Sequence, residues 1–535
     1  MLVFDKMTLI FRTVIHLKLT QIQYQIWYRV KSHFLKISWY KKYLNSPFDF
    51  VSNPNTVNLI AHKGKYLGPL RFKFLNQTHQ FKKGEMDWNF NEFGKLWNYN
   101  LQYFDYLHDP FMPIEEKREL ITDYCNKIYS NKVKLEAYPT SLRIINWILF
   151  SSRTGFKSDM FENCLKQQIN YLENNLEFHI QANHLMENLI SLCVSAIALN
   201  DQKLFDRFYL NLEKELNEQI LNDGGHYECS PMYHCIILSK LLIVADALES
   251  NSKSIKDFTL LTESIGRMIG WLNAICFKDG SFIHFNDSSN EIAVEIDALI
   301  NAAKALKIRP IQKPLNDSGY RKLNVGEMEM LVDVGGIIPA YQPGHVHSDM
   351  LSFGLFYKCV PIIIDLGTST YQPGSVRQFE RSTSAHNTVT INNHDQSEIW
   401  GGFRVGRRAK IVIEKDSENQ LIASHDGYYS KYGLTHQRTF KCSENYLSIS
   451  DELIGERNNE TNNIARIYLD KSVMPTIDYN KSVVYLNSQI SIQFNGYTSF
   501  SFSKYKQAIG FNIYQESTCI QVSFKKMLLT KIIFE

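Results

Sequence analysis

Apolar residues recur at three- and four-residue spacing through roughly the first 300 positions, and then the period falls to two. The segments Glu116–Ile128, Ser141–Ser152, Met160–Leu176, Ala182–Leu199, Gln202–Ile220, Pro231–Leu248 and Leu260–Ile275 all carry the helical period. Short connections separate them, which predicts antiparallel helical hairpins arranged as a bundle or a toroid. Beyond residue 315, Lys410–Glu414, Thr439–Cys442, Tyr446–Ser450 and Ile490–Phe494 alternate as strands do. Asp426-Gly427 and Asn495-Gly496 read as turns between strands. A helical half followed by a run of strands predicts two domains, an α+β arrangement in separate layers. The Pro- and Asn-bearing stretch Lys307–Gly319 is the expected linker. Residues 1–60 read as an accessory segment with one or two basic helices.

Composition narrows the function classes. The chain has 535 residues, 44% of them hydrophobic, enough for more than one core. A net charge of +3 without a long Lys/Arg block gives no reason to expect a nucleic-acid partner. Aromatic content is 13%, with 29 Tyr, a surplus that suits stacking on sugar rings. Nine cysteines lie scattered with no CxxC pair. Free buried thiols are therefore expected, not a disulfide framework or a zinc knuckle. No stretch of about 18 apolar residues predicts a transmembrane helix. Met1–His16 lacks an apolar signal core and a cleavage site, so the expected location is cytoplasmic, with periplasmic or secreted as the alternative.

Three groups of residues carry candidate chemistry. Gly344-His-Val-His-Ser-Asp349 sets two histidines two residues apart, and in a strand His345 and His347 share a face. With Asp365 and His386 they offer imidazoles and a carboxylate suited to zinc, or else simply a set of hydrogen-bonded histidines. In Gly224-Gly-His-Tyr-Glu-Cys-Ser-Pro-Met-Tyr-His234, Ser230 is a natural N-cap and Pro231 suits the first helical position. Tyr233 then lies in the first turn, where the helix dipole favours negative charge and so a tyrosinate. The plainer alternative is that Tyr233 and His234 pack on the core. In Asn183-His-Leu-Met-Glu187, the polar side chains are helical neighbours beside an apolar stripe, able to line a cavity or merely to cap a helix.

Together these motifs resemble the heparinase II/III-like polysaccharide lyases. The matching pieces, in order, include Trp97–Phe104, Tyr138–Trp147, Asn183–Asn188, Asp223–His234, Gly344–Phe353, Arg381–Thr388 and Asp395–Trp400. The resemblance implies an (α/α) toroid over 61–315 and an antiparallel β-sandwich over 316–535. It implies a lyase that cleaves an acidic, uronate-containing polysaccharide by β-elimination, such as a bacterial capsule or exopolysaccharide. By the same resemblance Tyr233 is the base and acid tyrosine and His345 a second proton-handling group. Asn183 and His184 neutralise the uronate carboxylate, while Glu187, Tyr371 and Arg381 bind substrate. His347, Asp365 and His386 resemble the ligands of a structural zinc, calcium being the alternative metal. Two other readings remain open on the residues: a glycoside hydrolase using carboxylates among Glu187, Asp223 and Glu228, and a non-catalytic glycan-binding protein of surface-polysaccharide assembly.

Overall fold

The computed structural model describes residues 3–34, 43, 45–60, 65–251, 258–455, 461–478 and 483–535. After α1 (Val3–Val14) and α2 (Leu19–Phe34), the chain runs through α3 (Lys95–Tyr103), α4 (Ile114–Tyr129), α5 (Ala137–Thr154) and α6 (Asp159–Glu173). Next come α7 (Ala182–Ala198), α8 (Gln202–Gln219), α9 (Pro231–Asn251), α10 (Thr259–Ile275) and α11 (Ile296–Ala305). Ser158 and Asp201 start α6 and α8 as side-chain caps. Helices α3, α5, α7 and α9 pack in succession as an inner layer, and α4, α6, α8 and α10 back them. This division follows the pattern of the sequence. Helix α8 buries one stripe, whereas α7 and α9 are apolar and buried almost all round. By length and hydropathy α9 could cross a membrane, but the apolar stretch is 94% buried inside the protein, as a core helix is.

The linker lies flat on the toroid. Ile311 N donates to Gly266 O at 2.8 Å. A Cβ on Gly270 would stand 2.0 Å from Ile311 O, so only glycine lets the linker lie this close to α10. Asp223 pins its end, accepting from Asn316 N and Ser318 N, both at 2.9 Å, and from Ser318 Oγ at 2.7 Å.

Beyond the linker the chain is built of antiparallel strands. Tyr320–Val325, Met328–Asp333, Phe353–Tyr357 and Val360–Ile363 form one sheet in sequence order. A larger sheet is organised around the long hairpin Ile490–Gly510 and Ile513–Phe534. Val332, Phe353 and Leu355 of the first sheet share a core with Phe440, Ile449 and Val522 of the second, so the two sheets make a sandwich. Asn495-Gly496, expected as a turn, lies inside this long strand. The register with the partner strand shifts there and Gly496 takes φ +82°, a β-bulge that bends the strand without ending it. The cysteines among the described residues are free thiols, most of them buried.

The accessory helices bridge both halves. On the β side, Arg12 pairs with Glu398 at 3.3 Å and Trp400 Nε1 donates to Thr13 Oγ1 at 3.1 Å. On the toroid side, Tyr24 stacks on Phe178 with centroids 4.6 Å apart, and Gln181 Nε2 donates to Thr20 Oγ1 at 3.1 Å.

Candidate active site

A cleft of about 1660 Å³ opens between the toroid and the β-domain loops. Asn183, His184, Tyr233, His345 and Tyr371 line it together, drawn from α7, α9 and two β-domain loops. The volume exceeds the roughly 300–1,000 Å³ of small-molecule sites and suits several linked sugars.

Local geometry explains how each side chain reaches the cleft. Helix α9 begins at Pro231, and Ser230 Oγ accepts from Tyr233 N at 3.2 Å while donating to Asp287 O at 2.6 Å. The cap therefore ties the first turn of α9 to Asp287. Tyr233 stacks on His345 with centroids 3.9 Å apart and planes 28° apart, and Tyr371 OH donates to Tyr233 OH at 3.3 Å. His345 and His347 lie on an irregular loop, not a strand. They reach the same place because both donate to one carboxylate. His345 Nδ1 meets Asp287 Oδ2 at 2.8 Å and His347 Nε2 meets Asp287 Oδ1 at 2.9 Å.

Asp287 is the hub, and the sequence reading missed it. Arg377 grips both of its oxygens, with Nη2 at 2.6 Å from Oδ2, and Thr368 Oγ1 donates to Oδ1 at 3.1 Å. Burial alone would push this carboxyl up, but Arg377 and the two histidine donors hold it well below its ordinary range. Asp287 is thus an anion. It fixes the tautomer of His345, with the proton on Nδ1 and the lone pair on Nε2. Burial also lowers the pKa of His345 below the ordinary 6.5, with the Asp287 bond only partly offsetting it. The neutral ring leaves Nε2 as an acceptor at the cleft wall. A lone Asp in Asn286-Asp287-Ser288 and an Arg 90 positions later bear no local signature that could have found them.

The expected tyrosinate is not what the surroundings favour. Burial raises the Tyr233 phenol well above its ordinary value; the Tyr371 hydrogen bond lowers it in part, and Asp287 and then Glu228 raise it again by smaller amounts. The helix N-terminus does not outweigh them, so Tyr233 is a neutral hydroxyl. Glu228 lines the same wall, with Oε1 3.9 Å from His345 Nε2. Burial, reinforced by Asp287, raises its carboxyl to about 8, so it is mostly neutral near pH 7.

The opposite corner holds His184. Its Nδ1 meets Glu177 Oε1 at 3.0 Å, and Asn188 Nδ2 donates to Glu177 Oε2 at 3.1 Å. Tyr138 flanks the ring at 4.3 Å between centroids. Asn183 keeps a buried Oδ1 without a hydrogen-bond partner. Glu187 and Arg381 stand behind the wall. Glu187 is 0% exposed, with burial raising its carboxyl to about 7, and Arg381 Nη2 donates to Val346 O at 3.0 Å, supporting the histidine loop.

The residues expected to hold a metal are neighbours below the cleft. His347 and His386 have ring centroids 5.3 Å apart, and His386 Nδ1 bonds Asp365 Oδ2 at 2.8 Å. His347 Nδ1, His386 Nε2 and Asp349 Oδ2 are buried without hydrogen-bond partners. Among the described residues, no three His, Cys, Asp or Glu side chains are grouped as a metal-holding set.

Comparison with known proteins bears on both halves. Residues 141–314 match the model for the heparinase II/III N-terminus, and residues 308–518 the model for the heparinase II/III-like C-terminal region. The chain is 24% identical over 289 residues to a heparin-sulfate lyase of Bacteroides stercoris, covering 47% of this chain and 40% of that protein. It is 25% identical over 272 residues to FtsZ-localized protein C of Caulobacter vibrioides (strain NA1000 / CB15N), covering 48% and 44%. These matches span less than half the length of either relative. A crystal structure of heparinase III shares the fold, with a TM-score of 0.68 at 16% identity, over 96% of this chain and 92% of that one.

Proposed function

This chain belongs to the heparinase II/III-like family, and on that premise we propose that it is a lyase cleaving a uronate-containing polysaccharide by β-elimination. The observation that carries the reading is the stack of Tyr233 on His345, with His345 oriented by Asp287, at the wall of a sugar-sized cleft.

The proposed chemistry uses each group in its preferred protonation state. His345 Nε2 takes the proton from C5 of the uronate. Asn183 and His184 bind the adjacent carboxylate and stabilise the enolate-like charge that develops there. The electron pair then forms the C4–C5 double bond and the C4–O bond breaks. Tyr233 donates its hydroxyl proton to the departing oxygen; after product release His345 gives its proton to solvent and the Tyr233 oxygen takes one back from solvent, which restores both groups. A neutral Glu228 adds no negative charge to repel the uronate. Tyr371 holds the Tyr233 hydroxyl in place. This assigns the base to His345 and the acid to Tyr233, in place of one tyrosine performing both tasks.

Hydrolysis on the same scaffold needs two carboxyl groups flanking the bond. Of Glu187, Asp223 and Glu228, only Glu228 is among the residues lining the cleft, and Asp223 is committed to the linker. The test is ultraviolet absorbance of unsaturated uronate in digests of a panel of acidic polymers, with capsule and exopolysaccharide included. Reducing ends without that absorbance would select the hydrolase. Binding without turnover, unchanged in Tyr233→Phe, would select the glycan-binding protein.

Zinc is proposed on narrower ground. Burial lowers His347 to about 3, so it is neutral, and Nδ1 is open to a metal. His386 Nε2 is likewise open, although Asp365 outweighs the lowering by burial and raises this ring to about 8. Asp365, bonded to the other nitrogen of His386, orients that ring, so the two imidazoles are the donors free for an ion and the carboxylate supports them, an arrangement that suits zinc in a structural role.

A further inference from the structure

Helix α2 contributes to the cleft itself. Tyr28 and Lys31 line it beside Tyr171, Asn175 and His179 of α6 and the α6–α7 connection. Tyr28 OH donates to Leu176 O, and Lys31 Nζ donates to Asn174 O. An ammonium has three donors, so the backbone bond leaves two for another acceptor. The Tyr28 ring is met edge-on by His179 at 5.1 Å between centroids, and His179 Nδ1 is buried without a hydrogen-bond partner. The same connection carries Glu177, which holds His184. The accessory helix therefore abuts the catalytic corner through a shared loop.

We propose that α2 builds a second sugar subsite next to His184, which takes an acidic sugar of the bound polymer. The Tyr28 ring gives a flat apolar platform for one face of a pyranose, while Lys31 and His179 supply donors for its carboxylate. The chemistry suits such a ligand. An aromatic wall with a few converging polar groups is how sugar and small-molecule sites gain both contact area and orientation. A lysine whose aliphatic stem is buried presents its charge from a fixed position. Helix α1 matters at one remove: its Arg12 and Thr13 contacts anchor the hairpin to the β domain, so α2 is held against the toroid from both halves. This inference rests on the lyase reading for its ligand, and its test is built to separate the two.

The experiment compares wild type, Tyr28→Ala, Lys31→Met and Lys31→Arg on the acidic polymer that gives the strongest ultraviolet signal. Lys31→Met and Tyr28→Ala should each raise KM about tenfold, a typical effect of losing a charged or aromatic ligand contact, with kcat within about twofold. Lys31→Arg, which keeps the charge, should recover most of the loss. A role confined to capping the end of α6 would instead lower thermal stability and leave KM unmoved. That result, or a fall in kcat at constant KM, overturns the subsite. Should wild type yield no unsaturated product from any polymer, the lyase reading fails by itself. The subsite is then read by electrophoresis through gels cast with alginate or heparan sulfate, with neutral dextran as control. Retardation of wild type but not of Lys31→Met by an acidic polymer supports it; equal migration of the two proteins overturns it.

Discussion

His345 Nδ1 donates to Asp287 Oδ2 over 2.8 Å, and this one bond decides which ring nitrogen is left for chemistry. Replacing Asp287 by Asn removes the anion that Arg377 and both histidines face. An uncompensated buried Arg377 should destabilise the protein by about 3–5 kcal/mol. Turnover should fall by about 10²-fold or more as the tautomer is lost. Denaturant midpoints and single-turnover rates measure the two effects separately. A stable, fully active Asp287→Asn enzyme would show that the hub is dispensable.

Tyr233→Phe removes only the proposed acid. The expected loss in kcat is on the order of 10²–10⁴, with KM little changed. The lost Tyr371 bond should cost about 1 kcal/mol of stability. Steady-state kinetics on the cleaved polymer provides the check, and wild-type turnover would strike Tyr233 from the mechanism.

The acid limb of kcat/KM tests the base. His345 acts only when neutral, and burial places its pKa below 6.5. Activity should therefore hold down to pH 6.5 and fall only below it, as protonation removes the Nε2 lone pair. An acid limb centred well above 6.5, and abolished by substituting a different residue, would mean that another group is the base.

Glu228 should cost stability at neutral pH. Its folded pKa of about 8 lies above the unfolded value of about 4.5, so stability is full below pH 4.5 and is lost as pH rises toward 8. Glu228→Gln cannot ionise and should gain about 4 kcal/mol over wild type at pH 8, and nearly nothing at pH 4. Thermal unfolding at both pH values provides the comparison. A gain of equal size at both would assign the effect to packing.

Zinc titration of the chelator-treated protein should raise Tm. At a free concentration a hundredfold above Kd the gain is about 2.7 kcal/mol. The shift should weaken below pH 8 as His386 takes up its proton and should vanish in His386→Ala. The same shift in His386→Ala would place the ion elsewhere.

The helices were legible because each stands on a local rule. Gln202–Ile220 was expected and α8 spans Gln202–Gln219; Pro231–Leu248 was expected and α9 begins at Pro231. Asn495-Gly496 misled because the same dipeptide serves a turn or a bulge, and only a partner strand that continues past it selects the bulge. Tyr233 was legible as a first-turn residue, but not its protonation state, since burial, with Asp287 from a distant segment and the nearby Glu228, outweighs the helix dipole.

The amino-acid order determined by itself the helical and stranded halves, the cap at Ser230 and the residue types available for proton transfer, because period and capping act between near neighbours. Only the tertiary structure decided that His345 and His347 meet on Asp287 from a loop, that Glu187 and Arg381 stand behind the wall, and that α2 reaches the cleft. Those outcomes depend on desolvation and on contacts between residues tens to hundreds of positions apart, and these exist only once the two halves have packed together.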